Sequence, residues 1–266
     1  MEHCKINKCA LCQKEKVLCL SHLISKGFYK HITENGKILK VFKEKATIPP
    51  GTGQIKSFLL CQECENLLSR SEKIVLADGY ESHTTTFPLH EKLLKIPDKY
   101  PVTIYPDSFM VFPNEKSNID WNSHISFALS IFWRCSIVKI REKNYYGALG
   151  PYQEEIRRML YSGQTVLPNH MYLAIAVNNK EDPLKILAEP SKVKCSGYHI
   201  HTFLVPNIRY SLYIGKKLPE TITKLQKIGA SFILSTDISE SKYIKDIFDK
   251  IREAKPLGST KDLLQI

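Results

Sequence analysis

The chain has 266 residues, of which 43% are apolar and 24% are charged, with 12 glycines and 14 prolines. This composition is typical of globular proteins and excludes collagen-like, low-complexity and largely disordered chains. No apolar run reaches the roughly 18 residues that a membrane helix needs, and the polar start MEHCKINKCALC lacks the pattern of a secretory signal. We therefore expect a cytoplasmic protein that makes no membrane contact.

The chain is strongly basic, with a formal net charge of +11. Its first 60 residues hold 11 lysines against four acidic residues. Positive charge concentrated in this way favours a polyanionic partner, so we expect binding to nucleic acid, with DNA as the first candidate. The alternative is a general preference for lysine, which supplies most of the basic residues.

Eight cysteines include two CxxC pairs, Cys9 with Cys12 and Cys61 with Cys64. Two such pairs are the usual ligand pattern of a four-thiolate zinc site, and a reducing compartment argues against disulfides. The 48 residues between the pairs exceed the spacing of a small zinc finger, so we expect an inserted element there. A thioredoxin-like redox role would need a βαβ context, which surrounds neither pair. The pattern predicts structural Zn²⁺ on these four cysteines, with Cys4 as the one substitute ligand.

Taken in chain order, the predicted elements divide the chain after residue 95. Residues 1–95 form the zinc-binding module, and its predicted elements are strands at 16–24 and 37–42, a loop at 49–53 and a helix from 57 to about 75. Residues 84–120 contain several prolines and no long periodic run, which indicates a linking or covering segment.

Residues 96–266 are predicted to form a second domain whose role the sequence does not indicate. Residues 121–162 are predicted to be helical, with helices at 121–140 and 152–162. Residues 168–236 are predicted to be rich in β-strands. The predicted strands are 171–177, 198–205, 210–214 and 232–235, and a helix at 239–254 follows. The expected fold class is α+β, with a zinc-bound ββα module followed by a mixed helix and antiparallel-sheet domain.

The order of motifs in residues 9–75 resembles a known nuclease family. A cysteine pair precedes a strand with Ser21 and His22, and a basic loop leads to LLCQECE at the start of a helix. This order resembles the zinc-braced HNH endonucleases, a ββα-metal, treble-clef-like family. The strings SHLISKGFY, LLCQECE and SIFWR are similar to divergent bacterial proteins found near phage-defence genes. The resemblance implies a metal-dependent endonuclease that cleaves phosphodiester bonds of nucleic acid, with a role in antiviral defence.

The resemblance also implies roles for individual residues. His22 stands at the position of the family's general base, and Mg²⁺ or Mn²⁺ would hold the scissile phosphate. Ser21 replaces an acidic or histidine ligand, Lys56 replaces an asparagine, and Glu65 replaces the final histidine. In one account Glu65 binds the metal and Lys56 stabilises the phosphorane charge. In the other, the chemistry is lost and the module only binds nucleic acid or protein within a larger complex, for example with an ATPase partner.

Each of these residues also has an alternative role that is purely structural. His22 could be a core histidine bonded to the backbone, and Glu65 could serve only the start of its helix. Glu72 lies two helical turns further and is either a second carboxylate of the site or a solvated residue. Arg134, in a buried helix, needs an acidic partner, for which the candidates are Glu65, Glu72 and Glu154.

Two further patterns have a functional and a structural interpretation. Lys26 and Lys30, near Phe28 and Tyr29, could follow a phosphate backbone with aromatic support, or form a solvated basic loop. His199 and His201 would share one face of a strand and could bind metal or act on phosphate, although no third ligand is evident.

Overall fold

The computed structural model describes residues 5–30, 32, 40–41, 46–47, 54–79, 87–102, 107–112, 118–140, 143–144, 148–180, 184, 186–228 and 231–252. Their strands, numbered in chain order, are β1 Lys5–Lys8, β2 Glu15–His22, β3 Lys40–Val41, β4 Ala46–Thr47, β5 Lys56–Cys61, β6 Tyr100–Pro101, β7 Phe109–Val111, β8 Lys139–Ile140, β9 Lys143–Asn144, β10 Met171–Asn178, β11 Ala188–Lys194, β12 Tyr198–Val205, β13 Ile208–Gly215 and β14 Ser231–Thr236. Their helices are α1 Lys26–Lys30, α2 Gln62–Gly79, α3 Pro88–Leu94, α4 Trp121–Ile137, α5 Tyr152–Ser162, α6 Glu220–Ile228 and α7 Lys242–Arg252, with a 3-10 turn at Ile238–Glu240. The mixed α+β class is therefore confirmed. Within these described ranges, no helix is both long and apolar enough to cross a membrane.

The chain divides into two compact units that alternate along the sequence. Unit 1 comprises residues 1–26, 54–77 and 120–167, and unit 2 comprises 27–53, 78–119 and 168–266. Helices α4 and α5 therefore belong to the same unit as both cysteine pairs. The single boundary after residue 95 stays a prediction.

Unit 1 contains a three-stranded sheet in the order β1-β2-β5. Strand β2 lies in the middle and is antiparallel to both neighbours. The helix predicted from residue 57 is wrong at its start, because residues 56–61 form β5 and α2 begins only at Gln62. The run FLL is too short to separate a buried strand from a helix by its periodicity. Residues 56–61 form a strand because they pair with β2.

Two helices complete unit 1, and both follow from local sequence signals. Helix α4 begins after Asp120, whose side chain accepts a hydrogen bond from the Ser123 backbone N–H at 3.0 Å. It is buried around most of its circumference, as its apolar pattern predicts, and it ends at Ile137 rather than at residue 140. Helix α5 has the predicted bounds 152–162, between Pro151 and Gly163. Gly163 ends it in the left-handed conformation, at φ 74°.

Unit 2 contains a seven-stranded sheet in the order β11-β12-β13-β10-β14-β7-β6. Its neighbouring strands are antiparallel except β10 and β14, which are parallel. The four predicted strands of this region are confirmed as β10, β12, β13 and β14, and the C-terminal helix as α7, within residues 242–252. Ile244 and Ile247 of α7 pack on Ala188 and Leu204 of the sheet.

The sequence did not indicate β11 and α6. Strand β11 is an edge strand that contains Pro190 and has a register irregularity between Ala188 and Ser191, so it lacks the regular alternation of an ordinary strand. The expected linking segment 84–120 contributes α3 and two short strands, β7 beside β14 and β6 at the edge of the sheet. The predicted loop at 49–53 and most of the predicted strand at 37–42 lie outside the described residues.

Candidate metal centre and the His22 site

The four cysteines predicted as ligands meet in one cluster. Their sulfur atoms all lie within 4.8 Å of one another, and the sulfurs of Cys12 and Cys61 are 4.0 Å apart. Four thiolates around one zinc ion, at Zn–S distances of about 2.3 Å, place their sulfurs roughly 3.8 Å apart. Cys9, Cys12, Cys61 and Cys64 can therefore hold one metal ion. Cys4 lies outside the described residues.

Backbone geometry explains why the first pair can face the second. Cys9 and Cys12 occupy the tight turn between β1 and β2, where the Gln13 N–H donates to the Cys9 carbonyl at 2.9 Å. Gln13 itself has φ 63°, in the left-handed region, which lets the chain reverse directly after the pair. The Ala10 N–H donates to the Leu59 carbonyl at 2.9 Å. This bond ties the turn to β5, whose last residue is Cys61.

The surroundings of Cys9 stabilise its thiolate, whereas Cys61 and Cys64 would need a bound cation to stabilise theirs. Burial raises the pKa of the Cys9 thiol, but hydrogen bonds from the backbone of Cys12, Cys61 and Leu11 outweigh it and lower that pKa below its ordinary value. Burial raises the pKa of both Cys61 and Cys64. Since the metal-binding form of cysteine is the thiolate, a bound cation would supply the charge that stabilises these buried sulfurs.

The structure brings His22, Lys56 and Glu65 within electrostatic range of one another. His22 ends β2 and pairs across the sheet with Lys56 of β5, whereas Glu65 lies in the first turn of α2. The pKa of His22 is lowered, first by burial and then by the positive charge of Lys56. A hydrogen bond with Gln54 and the negative charge of Glu65 oppose this shift of the pKa. Gln54 is a neighbour that the motif did not identify.

Arg134 joins α4 to both elements that hold this site. Its Nη1 donates to Glu72 Oε1 at 2.7 Å and to the His22 carbonyl at 3.2 Å, and its Nη2 lies 3.6 Å from Glu65 Oε2. The arginine side chain is only 2% exposed. The partners of Arg134 are therefore Glu72 and Glu65, while Glu154 pairs with arginines of its own helix. Glu72 is accordingly not a solvated residue.

Several polar atoms of this site are enclosed without a hydrogen-bond partner. Among the described residues these include His22 Nε2, Glu65 Oε1, and Nε and Nη2 of Arg134. Buried polar atoms are nearly always hydrogen-bonded, so each exception calls for an explanation such as a bound water, an ion or a catalytic role. Four exceptions on three neighbouring side chains mark this site as one that a polar ligand would complete.

A catalytic divalent ion does not fit on these side chains alone. Within the described part of the chain, the four-cysteine cluster is the only group of three or more potential ligand residues that can surround an ion. Both Glu65 and Glu72 face the guanidinium of Arg134 instead. The hydroxyl of Ser21 donates to the Cys19 carbonyl at 3.5 Å. A catalytic Mg²⁺ or Mn²⁺ therefore stays a prediction.

The other candidate residues lie on α1 and on β12. Phe28 and Tyr29 are each only 2% exposed, so they belong to the core and do not offer open rings for stacking. The positive charge of Lys26 contributes to lowering the pKa of His22. The rings of His199 and His201 are 6.3 Å apart in a T-shaped arrangement. They form no three-residue ligand cluster with other described residues.

Comparisons with protein-family models, with curated proteins and with solved structures found no match. The resemblance to HNH endonucleases therefore rests on the motif order and the residues named above.

Proposed function

We propose that unit 1 is a zinc-braced, HNH-like endonuclease that hydrolyses phosphodiester bonds of nucleic acid, with DNA as the first candidate substrate. The observation that supports this proposal is that His22 and Glu65, whose charges interact, each have a buried atom without a hydrogen-bond partner. Zinc on the four cysteines would fix the β5–α2 junction, and with it the position of Glu65 directly after Cys64. The proposed role in antiviral defence comes from the family resemblance.

The chemistry begins with a neutral imidazole. Because the pKa of His22 is lowered, its ring is unprotonated at neutral pH and can accept a proton. A water molecule at Nε2 would give a proton to His22 as its oxygen attacks phosphorus. The bond from phosphorus to the leaving oxygen would break, and that oxygen would take a proton from solvent. Lys56 supplies positive charge for the phosphorane. His22 Nε2 is enclosed, so the site must open before a phosphate can reach it.

A second candidate function is binding without catalysis, as a subunit of a larger complex that includes a partner such as an ATPase. The observation that favours it is the pairing of Glu65 and Glu72 with Arg134. These contacts set the guanidinium of Arg134 against both carboxylates, in the place where the family implies a metal.

The two functions are separated by a cleavage panel. The full chain, loaded with zinc, is incubated with supercoiled plasmid, single-stranded DNA and RNA, in Mg²⁺, in Mn²⁺ and in EDTA. We expect cleavage of at least one substrate, with a loss of about 10²-fold or more in His22→Ala, the usual contribution of a general base. The matched control is His199→Ala, which removes a histidine of unit 2 and should leave cleavage unchanged. Binding by a folded parent that cleaves no substrate would contradict the nuclease proposal and favour the second function.

A further inference from the structure

A pocket of about 270 Å³ lies beside the four-cysteine cluster. We call it the knuckle pocket, and its lining residues are Cys12, Lys14, Lys16, Glu63, Cys64, Asn66, Leu67, Arg70 and Tyr161. All of them belong to unit 1, and they come from the turn after Cys12, from β2 and from helices α2 and α5. His22, Lys56 and Arg134 do not line this pocket.

We propose that the knuckle pocket binds the phosphate backbone of a nucleic acid, at a subsite distinct from the His22 site. The choice of nucleic acid as the ligand rests on the proposed function. The pocket itself is inferred from its own charges and shape.

Its charges leave two cations available for a ligand. Lys16 is engaged, because its Nζ lies 3.3 Å from Glu63 Oε1. Lys14 and Arg70 are exposed, and their side chains form no ion pair or hydrogen bond with another described residue. Lysine and arginine are the residues that most often bind phosphate oxygens, arginine through two parallel N–H donors.

The opposing explanation is that these cations serve only as countercharge for the cysteines. One zinc ion with four thiolates carries an excess of two negative charges. Two other cations lie within electrostatic range of the cysteines. The pKa of Lys16 is raised first by Glu63 and to a smaller extent by Cys61 and Cys12. The pKa of Arg157 is raised mainly by Glu154 and to a smaller extent by Cys12.

Arg157 also holds the turn directly, since its Nη1 donates to the Leu11 carbonyl. Lys16 and Arg157 lie near the cysteines, but each is already paired with a carboxylate, Glu63 and Glu154 respectively. Lys14 and Arg70 have no carboxylate partner among the described residues, so they are the lining cations that can bind an external anion.

The remaining wall of the pocket suits a nucleotide. Tyr161 lines it and is 48% exposed, so its ring is open to stacking against a base or sugar. The Asn66 side-chain oxygen accepts a hydrogen bond from Gln62 at 2.9 Å. The amide nitrogen of Asn66 is then available as a donor to a phosphate or a base. Cations, an aromatic ring and an amide donor are the usual components of a surface that follows a nucleic-acid strand.

The test measures binding separately from cleavage. Fluorescence anisotropy follows labelled single-stranded and duplex DNA of 20 nucleotides, over a series of salt concentrations, with the His22→Ala chain so that no DNA is cut. The pocket variant adds Lys14→Gln and Arg70→Gln. The matched control adds Lys216→Gln and Lys227→Gln, two exposed lysines of unit 2.

We expect the pocket variant to bind DNA at least about tenfold more weakly near 0.1 M salt. The slope of log K against log salt should fall by roughly 0.7 to 0.9 for each phosphate that the variant no longer neutralises, while the control keeps the parent's slope. Unchanged affinity and slope in the pocket variant would overturn the proposal. So would loss of zinc or of the folded state in that variant, because the cations would then serve the cysteine cluster.

The same assay distinguishes this proposal from the nuclease proposal. If the parent chain cleaves no substrate but its DNA binding depends on the knuckle pocket, the subsite proposal stands and the nuclease proposal is rejected. Cleavage by the parent, with DNA affinity that does not change when Lys14 and Arg70 are replaced, would support the nuclease and reject the subsite. If both hold, the pocket substitutions should raise KM and leave kcat unchanged, since they remove binding that is equal in the ground and transition states.

Discussion

Arg134 should be one of the most destabilising positions of unit 1 to substitute. Its side chain is 2% exposed, and its guanidinium pairs with Glu72 at 2.7 Å and with Glu65 at 3.6 Å. Arg134→Met keeps the apolar stem and removes the charge, which leaves two largely enclosed carboxylates without a cation and the His22 carbonyl without this donor. Removing one partner of a buried ion pair costs about 3–5 kcal/mol, so we expect a loss of that size in the free energy of unfolding.

Tryptophan fluorescence during urea unfolding measures this loss selectively. The chain has two tryptophans, Trp121 and Trp133, and both belong to unit 1. A second substitution, Glu72→Gln, removes the charge that Arg134→Met strands, so the double variant should be less destabilised than the sum of the two single variants. A loss below about 1 kcal/mol in Arg134→Met, with additive effects in the double variant, would refute the reasoning from a buried ion pair.

Individual side chains support three further predictions. Cys61→Ser should lose bound zinc and unfold unit 1, because a structural metal contributes folding energy directly. The control Cys195→Ser should retain the metal. An unchanged zinc content in Cys61→Ser, measured by atomic absorption, would contradict the assignment of Cys61 as a ligand. Asp120→Ala should lower the free energy of unfolding by about 1 kcal/mol, since it removes the N-cap of α4, and an unaltered urea midpoint would show that this cap is unimportant. Lys56→Met should raise the pKa of His22, because the lysine charge is one cause of its depression. Because its pKa is lowered, His22 stays neutral even somewhat below the ordinary histidine pKa of about 6.5. Cleavage activity should therefore fall only when the pH drops through the pKa of His22 in the folded protein. In Lys56→Met this fall in activity should occur at higher pH.

Features that depend on neighbouring residues could be predicted from the sequence. The CxxC spacing identified all four members of the cysteine cluster, because each pair is fixed by its own turn. Helix α5 was bounded correctly, since Pro151 and Gly163 mark its ends within a dozen residues. In β5, by contrast, an apolar run of three residues was compatible with a helix or a strand until its pairing with β2 was known.

Features that depend on tertiary contacts could be predicted only in part. The need of Arg134 for an acidic partner follows from its buried helix, but its hydrogen bond to the His22 carbonyl joins residues 112 positions apart. The knuckle pocket likewise combines Lys14, Arg70 and Tyr161 from three separate elements. No local pattern relates such residues, and only the packing of unit 1 brings them together.

The most direct test of the account is a comparison of plasmid cleavage by the parent and by His22→Ala at equal zinc content and equal folded fraction. We expect the parent to convert supercoiled plasmid to the nicked or linear form, and the variant to lose that activity by about 10²-fold or more. Equal cleavage by the two chains would contradict the role of His22 as the base, and with it the proposed nuclease site.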